Sequence, residues 1–157
     1  MSGIRANETG VIEACPKCGK KNRIPFDKLT AAATCGSCQA DIPAISAPIE
    51  IESEAAFDQL MAGSTVPVVV DYWAPWCPPC RAVAPEFEKV ARAADGQYVV
   101  AKVDTQSLPG LGARARVQSI PAMVVFDGGK EISRTVGARP AAAIDAFVRE
   151  AVAVGSR

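Results

Sequence analysis

Residues 68–91 read VVVDYWAPWCPPCRAVAPEFEKVA, and this stretch decides the fold. With the two residues before it, VPVVVDYW (66–73) is a near-continuous apolar run, the pattern of a strand covered on both faces. Pro78 and Pro79 suit the first turn of a helix, where a missing N–H leaves no hydrogen bond unmade. Val83, Phe87 and Val90 then supply a buried stripe at helical spacing. Pro85 is expected to kink this helix. Cys77 and Cys80 therefore fall at a strand-to-helix turn. A helix N-terminus favours a thiolate, so Cys77 reads as an exposed nucleophile. Cys80, one turn later on the same face, reads as the thiol that resolves a mixed disulfide. A metal half-site or an inert pair remain as alternatives for these two.

Upstream, PIEI (48–51) reads as a short strand. Ser53 is placed to cap a helix through about residue 62, with Phe57, Leu60 and Met61 on one side. Downstream come a strand at QYVVAKVD (97–104), a short helical crossing over 107–116 and a strand at PAMVVF (121–126). Asp127, Gly128 and Gly129 make a tight turn into KEISRTV (130–136). Pro140 opens a last helix carrying Ile144, Phe147, Val148 and Val152. This order, β-α-β-α-β-α-β-β-α, predicts an α/β fold: a central mixed sheet flanked by helices, parallel early and antiparallel at the final hairpin.

Ahead of this domain, residues 11–45 hold four cysteines and few large apolar side chains. The spacing of Cys15, Cys18, Cys35 and Cys38 is C-x2-C-x16-C-x2-C, which points to one structural metal ion in a tetrahedron of thiolates. Zinc is the expected ion and iron its rival; the chain has no histidine, so mixed ligation is excluded. Gly19 and Gly36 are read as giving the two turns their backbone freedom. Lys17, Lys20, Lys21 and Arg23 either offset the charge of four thiolates or form a solvated basic stretch. A segment of about 35 residues buries too little apolar surface to fold alone, so the metal should hold it together. Pro43 and Pro48 mark a linker over 43–48. Residues 1–10 are expected to be disordered and the closing GSR frayed.

The 157 residues carry 17 basic and 17 acidic side chains, so no global field directs the chain to nucleic acid or to an anionic membrane surface. The first residues lack a secretory apolar run, and a soluble cytoplasmic protein is expected. In a reducing compartment, cysteine pairs serve metals or catalysis more often than structural disulfides, which weakens a three-disulfide reading.

VVVDYWAPWCPPCRAVAPEFEKVA, VAKVDTQ, SIPAMVVFDGGK and TVGA together resemble thioredoxins, over residues 49–154. With CPKCGKKNRIPFDKL and CGSCQADI in front, the chain resembles the zinc-containing bacterial thioredoxins of the thioredoxin 2 type. The resemblance implies a thioredoxin domain, here 46–154, with a sheet of four to five strands. It also implies a zinc lobe at 11–45, reduction of protein disulfides, re-reduction by thioredoxin reductase and no bound organic cofactor; a monomer is the default.

By the same resemblance, Asp71 takes a proton from Cys80 and Lys102 neighbours that acid. The sequence also marks Asp71 as unusual, since an acid in an apolar strand is costly without a partner or a raised pKa. Both residues could instead lie at strand ends facing water. Ile120-Pro121 matches the family's cis bond. Trp76, Ile120, Pro121 and Gly137 match its docking surface, while simple core packing is the alternative for Trp76. The departure is Pro78, where most thioredoxins have glycine, and it puts the direction of electron flow in question. A disulfide oxidase or isomerase of the same fold is one alternative. A zinc-dependent redox-sensing or interaction module is another.

Overall fold

The computed structural model describes residues 4–155. Among the described residues, ten strands and four α-helices follow one another in chain order. The N-terminal region holds β1 (Arg5–Asn7), β2 (Gly10–Ala14), β3 (Lys21–Ile24), a short 3-10 turn (Phe26–Lys28), β4 (Ala33–Thr34) and β5 (Asp41–Ile42). The rest comprises β6 (Ile49–Ile51), α1 (Glu54–Gly63), β7 (Val68–Trp73), α2 (Pro78–Ala93), β8 (Val99–Asp104), α3 (Pro109–Arg114), β9 (Ala122–Asp127), β10 (Lys130–Val136) and α4 (Ala141–Gly155).

The expected five strands form the run β10-β9-β7-β8-β6. β7 lies parallel to β8 and antiparallel to β9, and β9 and β10 close the antiparallel hairpin through Gly128 and Gly129, at φ 61° and 79°. Alternation along β7 sorts its side chains into two cores. Val68, Val70 and Tyr72 pack with Phe57 and Leu60 of α1 and Leu111 of α3. Val69 packs on the other face with Val83, Phe87 and Val90 of α2 and Ile144 and Val148 of α4. Ser53 caps α1 by accepting the Ala56 amide at 3.0 Å. α2 continues through Pro85 to Ala93.

The N-terminal region departs from expectation. The sheet has eight strands, because β1 pairs parallel with β6 and the hairpin β2-β3 continues outward from β1. The expected disorder of residues 1–10 therefore fails for Arg5–Asn7, which form β1, with Ile4, Ala6 and Gly10 buried. Residues 1–3 and 156–157, where disorder and fraying were also expected, lie outside the described residues. Nor are residues 43–48 a free linker: Ile45 is buried and its amide donates to Leu29 O at 2.9 Å. Phe26, Leu29 and Ile45 share the core of α1 and β7. A Cβ on Gly63 would stand 2.9 Å from Phe26 Cβ, which shows how closely the lobe seats on α1.

Candidate active site and metal centre

Cys77 is the N-cap of α2, and its Sγ accepts the Cys80 amide at 3.3 Å. Pro78 and Pro79 occupy the first two helical positions and have no N–H, so the amide of Cys80 is the helix's first, and it is aimed at Cys77. The two cysteines are joined as a disulfide, with Cα atoms 5.2 Å apart. Cys77, expected to be exposed, is 3 % exposed in this oxidised form, and Cys80 2 %. Ala74, Trp73 and Ile120 enclose them, and the Ile120 carbonyl oxygen lies 3.9 Å from Cys77 Sγ.

Asp71 stands in the middle of β7 and is completely buried, not at a water-facing strand end. Neither carboxylate oxygen has a hydrogen-bond partner among the described residues. Burial is the main influence, lifting its pKa to about 7; Lys102 pulls it down and Glu50 pushes it up. Lys102 is directly opposite on β8, half-buried, with its ammonium 4.7 Å from the Trp73 ring centroid.

Trp76 is 66 % exposed, which rules out the core-packing alternative. Together with Thr105, Val117 and Ile120 it lines a groove of about 360 Å³ beside the disulfide. Ile120-Pro121 is cis, and the Pro121 carbonyl accepts the Gly137 amide at 2.8 Å, so Ile120, Pro121 and Gly137 meet in one place. Thr105 was not singled out from the sequence; its position just after β8, next to the strand that carries Lys102, was the available signal.

In the lobe, the sulfurs of Cys15, Cys18, Cys35 and Cys38 all lie within 4.8 Å of one another. Cys15 pairs with Cys38, and Cys18 with Cys35, each at 3.7 Å. A tetrahedron with zinc–sulfur bonds of about 2.3 Å has edges of about 3.8 Å, so the set fits one four-thiolate ion. The Cys38 and Ser37 amides and then the Asn22 side chain pull the Cys35 thiol down to about 6. At Cys38 the Ala40 amide is outweighed by burial and the three neighbouring sulfurs, which push its thiol up to about 12. Four sulfurs this close cannot all ionise unaided; a divalent cation removes that conflict.

The two turns are copies. In each, the first cysteine's N–H donates five residues ahead (Cys15 to Lys20, 2.8 Å; Cys35 to Ala40, 2.9 Å). The residue after the second cysteine is left-handed: Gly19 at φ 79° and Gln39 at φ 66°. Gly36, read as the flexible element, is not at positive φ; Gln39 holds the demanding position. Asn22 was overlooked. Its Nδ2 donates to Lys20 O at 2.9 Å and Cys35 Sγ at 3.5 Å, and its Oδ1 accepts the Gly36 amide at 3.0 Å. An asparagine inside a strand, where it is a poor former, was the signal for it. Lys17, Lys20, Lys21 and Arg23 are exposed, and Lys17 offers its backbone amide to Cys15 Sγ at 3.4 Å.

Residues 48–150 match the thioredoxin family, and residues 14–40 match the N-terminal zinc ribbon of thioredoxin 2. The chain belongs to the thioredoxin family. Thioredoxin C-3 of Corynebacterium nephridii is 42 % identical over 130 residues, spanning 82 % of this chain and 86 % of that protein. Thioredoxin 1 of a Nostoc species is 41 % identical over 88 residues, 56 % of this chain and 82 % of its own length. Among solved structures, chloroplastic thioredoxin z superposes with a TM-score of 0.62 at 34 % identity, covering 68 % of this chain and 96 % of that one. The chain is thus a thioredoxin-type disulfide reductase with an N-terminal zinc-ribbon lobe whose four cysteines are positioned for a metal.

Proposed function

We propose that this thioredoxin reduces disulfides of other proteins through Cys77 and Cys80, and is itself re-reduced by thioredoxin reductase in the cytoplasm. The observation that carries the reading is the Cys77–Cys80 pair at the start of α2, with buried Asp71 on the strand that leads into it. Cys77 thiolate attacks one sulfur of the client disulfide. That S–S bond breaks, and the departing client sulfur takes a proton from solvent. Cys80 then passes its thiol proton to the Asp71 carboxylate and attacks Cys77 Sγ. The Cys77–Cys80 bond forms and the second client sulfur leaves, so two electrons have moved from the cysteine pair to the client. A carboxyl titrating at about 7 is matched to that proton transfer near neutral pH.

Trp76, Ile120, Pro121 and Gly137 form the docking surface, where an extended client backbone pairs beside residue 120. Lys102 steadies the carboxylate form of Asp71. The lobe's metal is zinc, held by Cys15, Cys18, Cys35 and Cys38; its contribution is to fix the two turns. A relative from Mycobacterium leprae, described as a bifunctional thioredoxin reductase/thioredoxin, is 41 % identical over 100 residues, although this chain spans only 22 % of it. That fusion supports a reductase as the electron source. No described helix is long and apolar enough to cross a membrane.

The test is the equilibrium reduction potential of the Cys77/Cys80 couple in the metal-loaded protein. A value close to about −270 mV is expected of a reductant, and one above about −200 mV would mean oxidase or isomerase chemistry instead.

A further inference from the structure

Strands β1, β6, β8 and β7 run parallel, and Arg5, Glu50, Lys102 and Asp71 stand directly opposite one another in that order. Residues in register on neighbouring strands share a face, so the four side chains form one row, spaced about 4.8 Å apart, with charge alternating from strand to strand. The row starts at exposed Arg5, crosses half-buried Glu50 and Lys102, and ends at buried Asp71. Arg5 Nε also donates to Glu52 Oε1 at 2.6 Å, two residues along from Glu50 on the same face. Lys102 reaches over Trp73, which shares the face of Asp71.

The other surroundings of Asp71 carry little charge. β9 places Met123 opposite it. The titratable groups on the inner side of α2 are Cys77 and Cys80, and the α2 residues in the core on this face are Val83, Phe87, Val90 and Ala91. Arg81 of α2 is exposed and donates to Pro75 O at 2.7 Å. The field at Asp71 is therefore set mainly by burial, by Lys102 and by Glu50, which opposes Lys102. Arg5 is held first by Glu52 and feels Glu50 more weakly.

We propose that Glu50 is a positioning residue for proton transfer from Cys80 to Asp71, and that Arg5 of the added strand β1 moderates it. Lys102 works against burial, drawing Asp71 toward the carboxylate form and weakening it as a proton acceptor; the carboxylate of Glu50 offsets part of that pull and leaves Asp71 more basic. β1 lies outside the residues that match the thioredoxin family, 48–150, so the N-terminal extension reaches the active-site acid electrostatically, through the sheet. The inference rests on Asp71 being the proton acceptor.

The experiment compares Glu50→Gln, Arg5→Gln and Asp71→Asn in the metal-loaded full chain. One readout is an isotope-edited NMR titration of the Asp71 carboxyl in the oxidised protein. The other is the pH profile of single-turnover release of thionitrobenzoate from its mixed disulfide with Cys77. Glu50 lies two strand spacings from Asp71, about 10 Å, where removing a like charge should lower the carboxyl midpoint by about half to one pH unit. The kinetic midpoint should fall with it. Arg5→Gln should raise both by a smaller amount, and the Glu50→Gln effect should shrink in about 1 M salt, where the Debye length is about 3 Å.

A flattened profile in Asp71→Asn together with unmoved midpoints in Glu50→Gln would overturn the role of Glu50 and leave the proposed function standing. A profile unchanged in Asp71→Asn would overturn the acceptor role and the inference with it. A folding defect cannot imitate the expected result, because a loss of folded protein lowers amplitude without moving a carboxyl midpoint.

Discussion

Cys15/Cys18 and Cys35/Cys38 sit in turns that join antiparallel strands, whereas Cys77/Cys80 straddles the start of a helix. All three pairs have the same spacing. In the hairpin turns a left-handed residue after the second cysteine folds the chain back, and sulfurs of one turn meet those of the other at 3.7 Å. At the helix start the next residues are prolines already set for helical φ, so the second cysteine arrives one turn on and meets its own partner. Spacing sets how far apart two sulfurs can be. Backbone conformation decides whether they close on each other or converge on a cation.

Removing the metal breaks the comparison most severely. A structural four-thiolate zinc site is worth about 10–16 kcal/mol in apparent binding free energy, more than a lobe this small recovers by packing. Chelation should strip amide protection from residues 15–42 while β7, β8 and β9 keep theirs, as hydrogen exchange would register. Protection retained at Cys35 and Ile42 after complete metal loss would mean that packing of Phe26 and Leu29 against the α1 core, and not the ion, holds the lobe.

The helix-start pair has a second feature that the ribbon lacks, a fully buried acid on the strand leading into it. Asp71 titrates at about 7 in the folded chain, against about 3.9 in an unfolded one. Burial therefore favours the protonated form. That contribution is complete below about pH 4 and is lost as pH rises through about 7, where folding must confine a charge. Asparagine has no charge to confine. Asp71→Asn should match the parent protein's stability at about pH 4 and exceed it by about 4 kcal/mol at about pH 8.5, with urea denaturation as the measure. An equal difference at both pH values would show that packing, not ionisation, distinguishes the two side chains.

The order of the five central strands and their helices was legible because each carries its own periodicity: the apolar run of β7, the prolines opening α2, and Asp-Gly-Gly at the last hairpin. Both cysteine motifs were legible for the same reason, since spacing is local. The strand at Arg5–Asn7 was not. Three residues with one buried side chain, Ala6, are too few to show a period, and although β2 pairs with them locally, the strand that joins them to the central sheet is β6, more than forty positions away. The row from Arg5 to Asp71 was hidden likewise, because it is a property of register between strands and of no single segment. Gly36 misled because glycine inside a motif suggests freedom, while the geometry asks for it one position after the second cysteine.

That position offers the finest test of what makes a turn a metal knuckle. The two turns repeat the same hydrogen bonds, yet one places Gly19 in the left-handed region and the other Gln39. A residue with a Cβ is held there at a cost of about 1–2 kcal/mol, which the rest of the turn must offset. Gln39→Gly relieves that strain but widens the unfolded ensemble, so the net gain should be about 0.5–1 kcal/mol. Gly19→Gln should lose a similar amount, since a Cβ there meets no atom within 4 Å and only the backbone conformation is at issue. Competition with a chromophoric chelator, which reads metal affinity and lobe folding together, would resolve a several-fold change in either direction. Equal affinities for the parent and both variants would mean that the two turns tolerate a side chain alike, and that the ion, rather than the left-handed residue, imposes their shape.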